Sequence, residues 1–206
     1  TARILGGETC ALVTDAGMPA ISDPGEDLVR LCHEKGIKVE SVPGPCAFTT
    51  ALALSGFPSG RFTFEGFLSV NKPSRREHLQ SLENETRTML FYEAPHKLGA
   101  TLKDMNKVFG NREIAIVREI TKIHEEVIRT TLDEAVEKYA DGSVKGEIVL
   151  VIKGAEKETA DDRMTLEQAI ECARQSVQNG MSVSEAAKQS AKLSGFRKGD
   201  IYKALI

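Results

Sequence analysis

The sequence predicts an α/β protein that ends in a separate helical module. Up to residue 155, short apolar runs without helical period alternate with segments whose caps and apolar spacing indicate helices. Turn-forming residues at 56–60 divide this part, and a polar linker at 156–162 ends it. We therefore predict an N-terminal α/β domain at 1–60, a second α/β domain with a mixed sheet at 61–155, and a three-helix module at 163–206.

In the N-terminal domain, apolar runs predict strands at 8–13 and 37–42. Asp23 as N-cap and Pro24 at the first helical position predict a helix that ends at Gly36. Small apolar residues at 46–55 predict a second, buried helix. No βα unit precedes the strand at 8–13, so we expect this domain to lack its first units.

In the second domain we expect strands at 62–68, 87–92, 114–119, 126–131 and 147–153, and helices at 74–82, 95–108 and 132–139. In the module, Thr165 and Ser182 are each followed three residues later by Gln or Glu, which is the capping-box spacing. Gly180 and Gly195 separate three short helices, the last predicted at 200–206.

The composition is that of an ordinary soluble domain, with 41% apolar and 28% charged residues among 206. The longest apolar run, at 148–152, is far shorter than the roughly 20 residues needed to cross a bilayer. No signal segment opens the chain, so we expect a cytoplasmic protein without a membrane partner. Four scattered cysteines without a C-x-x-C pair predict free thiols and no metal site.

The formal net charge of −3 is unevenly distributed. Residues 163–206 carry seven basic and four acidic side chains, and a second basic group comprises Arg61, Lys72, Arg75 and Arg76. Two local basic surfaces on an acidic protein are compatible with holding one structured RNA through its phosphates. A solvated charged face explains the same pattern.

Three loops at predicted strand ends are candidates for ligand binding: residues 15–25 (turn 1), 43–48 (turn 2) and 91–97 (turn 3). Open α/β sheets bind ligands at the carboxyl ends of their strands, and Gly and Pro give these loops unusual backbone paths. None of them is a G-x-G-x-x-G or Walker loop. A purely structural strand-to-helix turn remains the alternative for each. At a fourth strand end, we expect Glu119 to be an orienting or ion-paired group rather than a base.

Four strings in this order closely resemble the tetrapyrrole methylase superfamily and, more narrowly, its ribosomal RNA small subunit methyltransferase I branch. They are LVTDAGMPAISDPG at 12–25, VPGPCA at 42–47, LFYEAPHKL at 90–98 and REITKIHEE at 118–126. The strings in turns 1 and 3 are specific to the branch, whereas the Pro-Gly-Pro turn is common to the superfamily. The family's opening strand and the loop after it are not present before Thr1.

The resemblance implies a class III methyltransferase: two α/β domains, S-adenosylmethionine in the cleft between them, and a homodimer. The implied reaction is methyl transfer to a ribose 2′-hydroxyl of a cytidine in 16S ribosomal RNA, free or in the assembled small subunit. The implied cofactor contacts are Asp15, Gly17, Met18, Pro19, Ile21 and Ser22 in turn 1, Ala47 and Phe48 in turn 2, and Tyr92 and Glu93 in turn 3.

A 2′-hydroxyl is a weak nucleophile, so a proton acceptor is expected beside it, and Glu93 and His96 are the candidates. The expected RNA contacts are the cations beside the cleft and in the module: Lys72, Arg75, Arg76, Lys188, Lys192, Arg197 and Lys198. Two other functions remain open, namely methylation of a precorrin or uroporphyrinogen carbon and non-catalytic RNA binding through the C-terminal helices.

Overall fold

The computed structural model describes residues 1–141, 144–156 and 164–206. They form two compact units, Thr1–Ala155 and Glu156–Ile206. The helices of the first unit are α1 (Ala2–Leu5), α2 (Glu26–Glu34), α3 (Ala47–Ser55), α4 (Lys72–Ser81), α5 (Leu98–Phe109) and α6 (Leu132–Lys138). Its strands are β1 (Phe62–Phe67), β2 (Thr88–Glu93), β3 (Glu113–Arg118), β4 (Glu126–Thr131) and β5 (Ile148–Ile152).

The five strands form one mixed sheet in the order β1-β2-β5-β3-β4. β5 is antiparallel to both of its neighbours, β2 and β3, while β1 runs parallel to β2. All five residues of β5 are aliphatic and buried, as expected of a central strand covered on both faces. The mixed α/β sheet predicted from the sequence is thus confirmed.

Alternate residues of the central strands pack into two cores on opposite faces of the sheet, because side chains in a strand alternate between its faces. On one face, Met89 and Phe91 lie with apolar residues of α4, α5 and α6. On the other face, Leu90 lies with Ala51 and Leu52 of α3. The helix predicted at 46–55 is therefore packed on the sheet that the second half of the unit builds.

The edge strand β1 contains a bulge. Phe64 pairs with Leu90 and Phe67 with Tyr92, so two residues of β1 face the single residue Phe91. One of the two is Gly66, whose φ of +63° lies in the left-handed region that glycine adopts at little cost.

The strands predicted at 8–13 and 37–42 are wrong, since neither segment is paired in the structure. A strand requires a neighbour for its backbone hydrogen bonds, and the described residues provide none for these two segments. Their valines are consequently exposed, Val13 to 81% and Val42 to 88%.

The predicted start of α2 is also wrong. The N-cap is Gly25 rather than Asp23, with a φ of +144°. The backbone conformation favours glycine there, and a Cβ atom at position 25 would also lie 2.5 Å from a terminal methyl group of Leu12.

The elements predicted for 61–155 are confirmed with small shifts of their ends. The segment predicted as one helix at 95–108 is a 3-10 turn, Pro95–Lys97, followed by α5. The helix α4 begins two residues before its predicted start because the side chain of Asn71 caps it, accepting the backbone N–H of Ser74 at 3.2 Å.

The second unit contains α7 (Leu166–Gln178), α8 (Val183–Ser194) and α9 (Lys198–Leu205) around a small core that includes Ala173, Ala187 and Ile201. The capping box predicted at Thr165 and Gln168 is formed in both directions. The last helix begins at Lys198, two residues earlier than predicted. Among the described residues of both units, no helix is long and apolar enough to span a bilayer.

An ion pair precedes β2. The carboxylate of Glu85 accepts hydrogen bonds from the Arg87 guanidinium at 2.6 Å and from its backbone N–H at 2.8 Å. These contacts lower the pKa of Glu85 to about 2, the Arg87 side chain contributing most.

We predict that Glu85→Gln destabilises the protein by about 1 kcal/mol at pH 7, the value of a favourable but partly exposed pair. A carboxylate with a lowered native pKa stabilises the fold above its unfolded pKa and loses that contribution as it protonates. The difference in the free energy of unfolding between wild type and Glu85→Gln should therefore disappear as the pH falls from about 4.5 to about 2. Urea unfolding across this pH range measures the difference, and Glu77→Gln, at an exposed position of α4, is the control. A gap that stayed constant with pH would contradict the assignment.

Candidate active site

Turns 2 and 3 meet at Tyr92. Tyr92 lies near the end of β2, and Phe48 lies in the first turn of α3. Both side chains pack against the same core, which contains Leu90 and Ala51. The Phe48 amide and the Cys46 thiol are close enough to act on the pKa of the Tyr92 hydroxyl, so turn 2 lies beside turn 3.

Four aromatic rings surround this connection. Phe48 stacks on Phe64 of β1 with ring centroids 4.2 Å apart, and Phe64 meets the Tyr92 ring edge-on at 5.0 Å. Phe67, at the exposed end of β1, lies 5.4 Å from Tyr92. This aromatic wall, Phe48, Phe64, Phe67 and Tyr92, is partly open to solvent and offers an apolar surface to a flat ligand.

Burial raises the pKa of Tyr92, and the neighbouring Cys46 raises it further, while the Phe48 amide acts in the opposite direction. The phenol is consequently neutral at physiological pH and retains a proton to donate.

Turn 1 approaches the same place through its second half. The Ser22 hydroxyl lies 3.9 Å from the point where a Cβ atom on Gly66 of β1 would stand, and the Asp23 carboxylate acts electrostatically on Tyr92. Two non-glycine residues of this turn, Ala20 and Ser22, have φ values of +66° and +60°. Such backbone strain is common at ligand-binding sites.

The first half of turn 1 stays apart. Within the described residues, Asp15, Gly17 and Met18 make no hydrogen bond to turns 2 and 3. An open depression of about 500 Å³ lies beside the end of turn 1 and the start of α2. Its lining residues are Leu12, Asp23, Pro24, Gly25, Glu26, Asp27 and Leu28. Phe48 and Tyr92 do not line it, whereas Asp23, whose carboxylate acts on Tyr92, does.

The two candidate proton acceptors occupy different environments. Glu93 is 5% exposed, and its two oxygens accept the Ala94 N–H at 2.7 Å and the Thr101 hydroxyl at 2.5 Å. His96 is exposed on the 3-10 turn that follows. The sequence did not suggest Thr101, whose hydroxyl reaches Glu93 from the first turn of α5.

A fourth loop leaves the sheet at the same edge. Glu93 of β2 and Arg118 of β3 both pair with Ile148 of β5, so they flank it two strand spacings, or about 10 Å, apart. Glu119 follows β3, and its carboxylate accepts hydrogen bonds from the Lys122 ammonium at 2.8 Å and from the Glu147 N–H at 2.9 Å. These two contacts, Lys122 first, lower the pKa of Glu119, and its predicted ion pairing is confirmed.

The predicted RNA-binding cations differ in accessibility. Arg75 is 9% exposed, and its guanidinium is paired with Asp104 at 2.5 Å, so it is committed to the interior of the first unit. Lys72 and Arg76 on α4 are exposed. The four predicted RNA-binding cations of the second unit are also exposed: Lys188, Lys192, Arg197 and Lys198.

Residues 1–136 match the family described as Tetrapyrrole (Corrin/Porphyrin) Methylases. Among curated proteins, ribosomal RNA small subunit methyltransferase I of Thermotoga maritima is 47% identical over 73% of this chain and 67% of its own length. The proteins of that name from Synechocystis sp. and Escherichia coli O157:H7 are 41% and 38% identical, each over 98% of this chain, and over 72% and 70% of their own lengths.

Two solved structures have a similar fold. The methyltransferase CobJ superposes with a TM-score of 0.52 at 20% identity, over 68% of this chain and 62% of that one. The cobalt precorrin-4 methyltransferase CbiF superposes with a TM-score of 0.50 at 16% identity, over 66% of this chain and 61% of that one. This chain thus spans less than two thirds of either structure. The family model and the close relatives agree, and the chain belongs to the tetrapyrrole methylase family, among the ribosomal RNA small subunit methyltransferase I proteins.

Proposed function

We propose that this protein uses S-adenosylmethionine to methylate a ribose 2′-hydroxyl of a cytidine in 16S ribosomal RNA, free or within the small subunit. The relatives' names supply the substrate class. The observation that carries the proposal is the packing of Phe48 of turn 2 and Tyr92 of turn 3 against one ring of β1, Phe64. Ser22 of turn 1 lies close to Gly66 of the same strand.

The proposed cofactor contacts are those that the family resemblance implies: Asp15, Gly17, Met18, Pro19, Ile21, Ser22, Ala47, Phe48, Tyr92 and Glu93. The aromatic wall suits a purine ring, and the strained backbone of turn 1 suits polar groups at the other end of such a ligand. Both Glu93 oxygens already have protein donors, so we expect its backbone rather than its carboxylate to face the cofactor.

S-adenosylmethionine, when bound, supplies a methyl group activated by a positively charged sulfur. The protein then has to align the 2′-hydroxyl with that methyl group, exclude water and accept one proton. Of the two candidates, His96 is accessible, whereas Glu93 is enclosed and holds Thr101. We therefore favour the His96 imidazole as the acceptor and give Glu93 a structural role in turn 3.

RNA binding is assigned to exposed cations only. Lys72 and Arg76 lie on α4 of the unit that contains the three turns, and Lys188, Lys192, Arg197 and Lys198 belong to the second unit. Arg75 is omitted because its charge is paired with Asp104. A homodimer and a cytoplasmic location remain part of the proposal.

A tetrapyrrole substrate is the second possibility that the family allows, but it is not favoured by the names of the close relatives. The two reactions can be distinguished by alkaline hydrolysis of the RNA. A 2′-O-methyl group blocks attack by that oxygen on the adjacent phosphate, so alkali leaves the methylated step uncut.

We predict that isotopically labelled methyl groups pass from S-adenosylmethionine to unmodified small ribosomal subunits, and that alkaline hydrolysis leaves the label in a dinucleotide. Uroporphyrinogen should receive none under the same conditions. Label in the tetrapyrrole, or label in RNA that alkali releases as mononucleotides, would overturn the proposed function.

For the proton acceptor, we expect His96→Ala to lower kcat by roughly 10²-fold or more, as for loss of a general base, with the cofactor Kd unchanged. Glu93→Gln keeps the shape of turn 3 and should retain most of kcat. Single-turnover methylation and calorimetry with S-adenosylmethionine separate the two effects. Full activity of the His96 variant would remove this residue from the mechanism.

For RNA binding, the double change of Lys72 and Arg76 to Ala should weaken affinity for small-subunit RNA. The slope of log affinity against log salt should fall by about 0.7–0.9 for each phosphate that the variant no longer neutralises. The matched control is Lys103→Ala with Lys107→Ala, two exposed cations on α5 that remove the same charge. Equal slopes for the two double variants would show that α4 does not touch the phosphates.

A further inference from the structure

The loop between β3 and β4, residues 119–125, has an unusual backbone. Glu119 and Thr121 have φ values of +51° and +67° although neither is glycine. Side chains with a Cβ atom adopt this left-handed conformation only at a cost, and threonine, being branched at Cβ, adopts it least readily. Strain of this kind persists only where surrounding contacts enforce it, and it is concentrated at functional sites.

Contacts on both sides hold the 119–125 loop in this shape. The Glu119 carboxylate receives the Lys122 ammonium and the Glu147 N–H, while the Thr121 N–H donates to Glu125 at 2.6 Å. Gly146 leaves room for Glu119, since a Cβ atom there would overlap the carboxyl group. The loop is therefore preformed, and a ligand that contacts it does not have to order it.

The loop places one apolar side chain fully in solvent. Ile123 is 97% exposed, the highest exposure among the large apolar residues of the described chain. Three residues earlier, Ile120 is partly buried and packs against the same core as Phe48 and Tyr92. The base of the loop is thus anchored on the core that supports the aromatic wall, while the isoleucine at its tip is almost fully exposed among the described residues.

The charges of the loop are unfavourable for a phosphate. Its ammonium group, Lys122, is shared between the carboxylates of Glu119 and Glu147, and Glu125 adds another negative charge. An uncharged, flat surface suits Ile123 better than a phosphate does. The nucleobase is the part of an RNA substrate that has such a surface, and apolar side chains are known to insert between neighbouring bases.

We propose that Ile123 packs against a nucleobase of the RNA substrate next to the nucleotide that is methylated, and helps to hold that nucleotide out of its stack. This inference rests on the proposed function. The ends of β2 and β3 lie on either side of Ile148, at the same end of the sheet. A nucleotide bound at turn 3 would therefore place the adjacent nucleotide of the RNA within reach of the 119–125 loop.

The test uses the full chain with Ile123→Ser, Ile123→Leu and, as a control, Leu5→Ser. Leu5 is 59% exposed on α1, outside the candidate site. We expect Ile123→Ser to raise both KM and Kd for small-subunit RNA about five- to tenfold, the effect of losing the burial of most of one aliphatic side chain. Ile123→Leu and Leu5→Ser should stay within about twofold of wild type, by the same estimate.

Four further readouts separate this role from others. The salt slope of RNA binding, the cofactor Kd, the melting temperature and the sedimentation coefficient should all be the same for Ile123→Ser and wild type. An altered cofactor Kd would place Ile123 at the cofactor instead, and an altered sedimentation coefficient would make the loop an interface between two copies. Either result, or an unchanged Kd for RNA, overturns the inference.

The RNA-binding measurement does not depend on turnover. If wild type transfers no methyl group to small subunits, the proposed reaction fails while the effect of Ile123→Ser on RNA affinity can still be measured. If wild type is active and Ile123→Ser binds RNA normally, only the role of Ile123 fails.

Discussion

The pairing of β5 with both β2 and β3 is the constraint on which the first unit depends. β5 is wholly aliphatic and buried, so its backbone groups have no access to water and have to be satisfied by the two neighbouring strands. Because β5 is antiparallel to both, the carboxyl ends of β2 and β3 lie at the same end of the sheet. Turn 3 and the 119–125 loop are neighbours for this reason, although the chain between them contains a whole helix and strand.

The sequence predicts an element of the fold well when the residues of that element and its flanking turns are enough to identify it. The strands of residues 61–155 were predicted to within two residues because their apolar runs are bounded by turns and caps. The runs at 8–13 and 37–42 have the same local character but no neighbour to pair with among the described residues. A segment forms a strand only when a second segment pairs with it, and the composition of the first does not show whether the second is present.

The candidate site follows the same division. Gly, Pro and strand ends are visible in the sequence and marked turns 1, 2 and 3 as candidates for ligand binding. The unusual backbone expected of them is found in turn 1, where Ala20 and Ser22 have positive φ values. The side-chain contacts in and around the site are not visible in the sequence, because they connect residues that are not adjacent in the chain: Phe64 with Phe48 and Tyr92, Glu93 with Thr101, and Arg75 with Asp104. Arg75 is an example: the sequence predicts it as an RNA contact, because the sequence alone does not distinguish a buried arginine from an exposed one.

The bulge in β1 also affects how the protein behaves at high concentration. β1 is an edge strand, and an edge with free N–H and C=O groups is a template for adding a strand from another molecule. Gly66 lies in the bulge, which interrupts the regular spacing of those groups. An aromatic-rich strand can thereby stay at the rim of the sheet with little tendency to seed intermolecular β-structure.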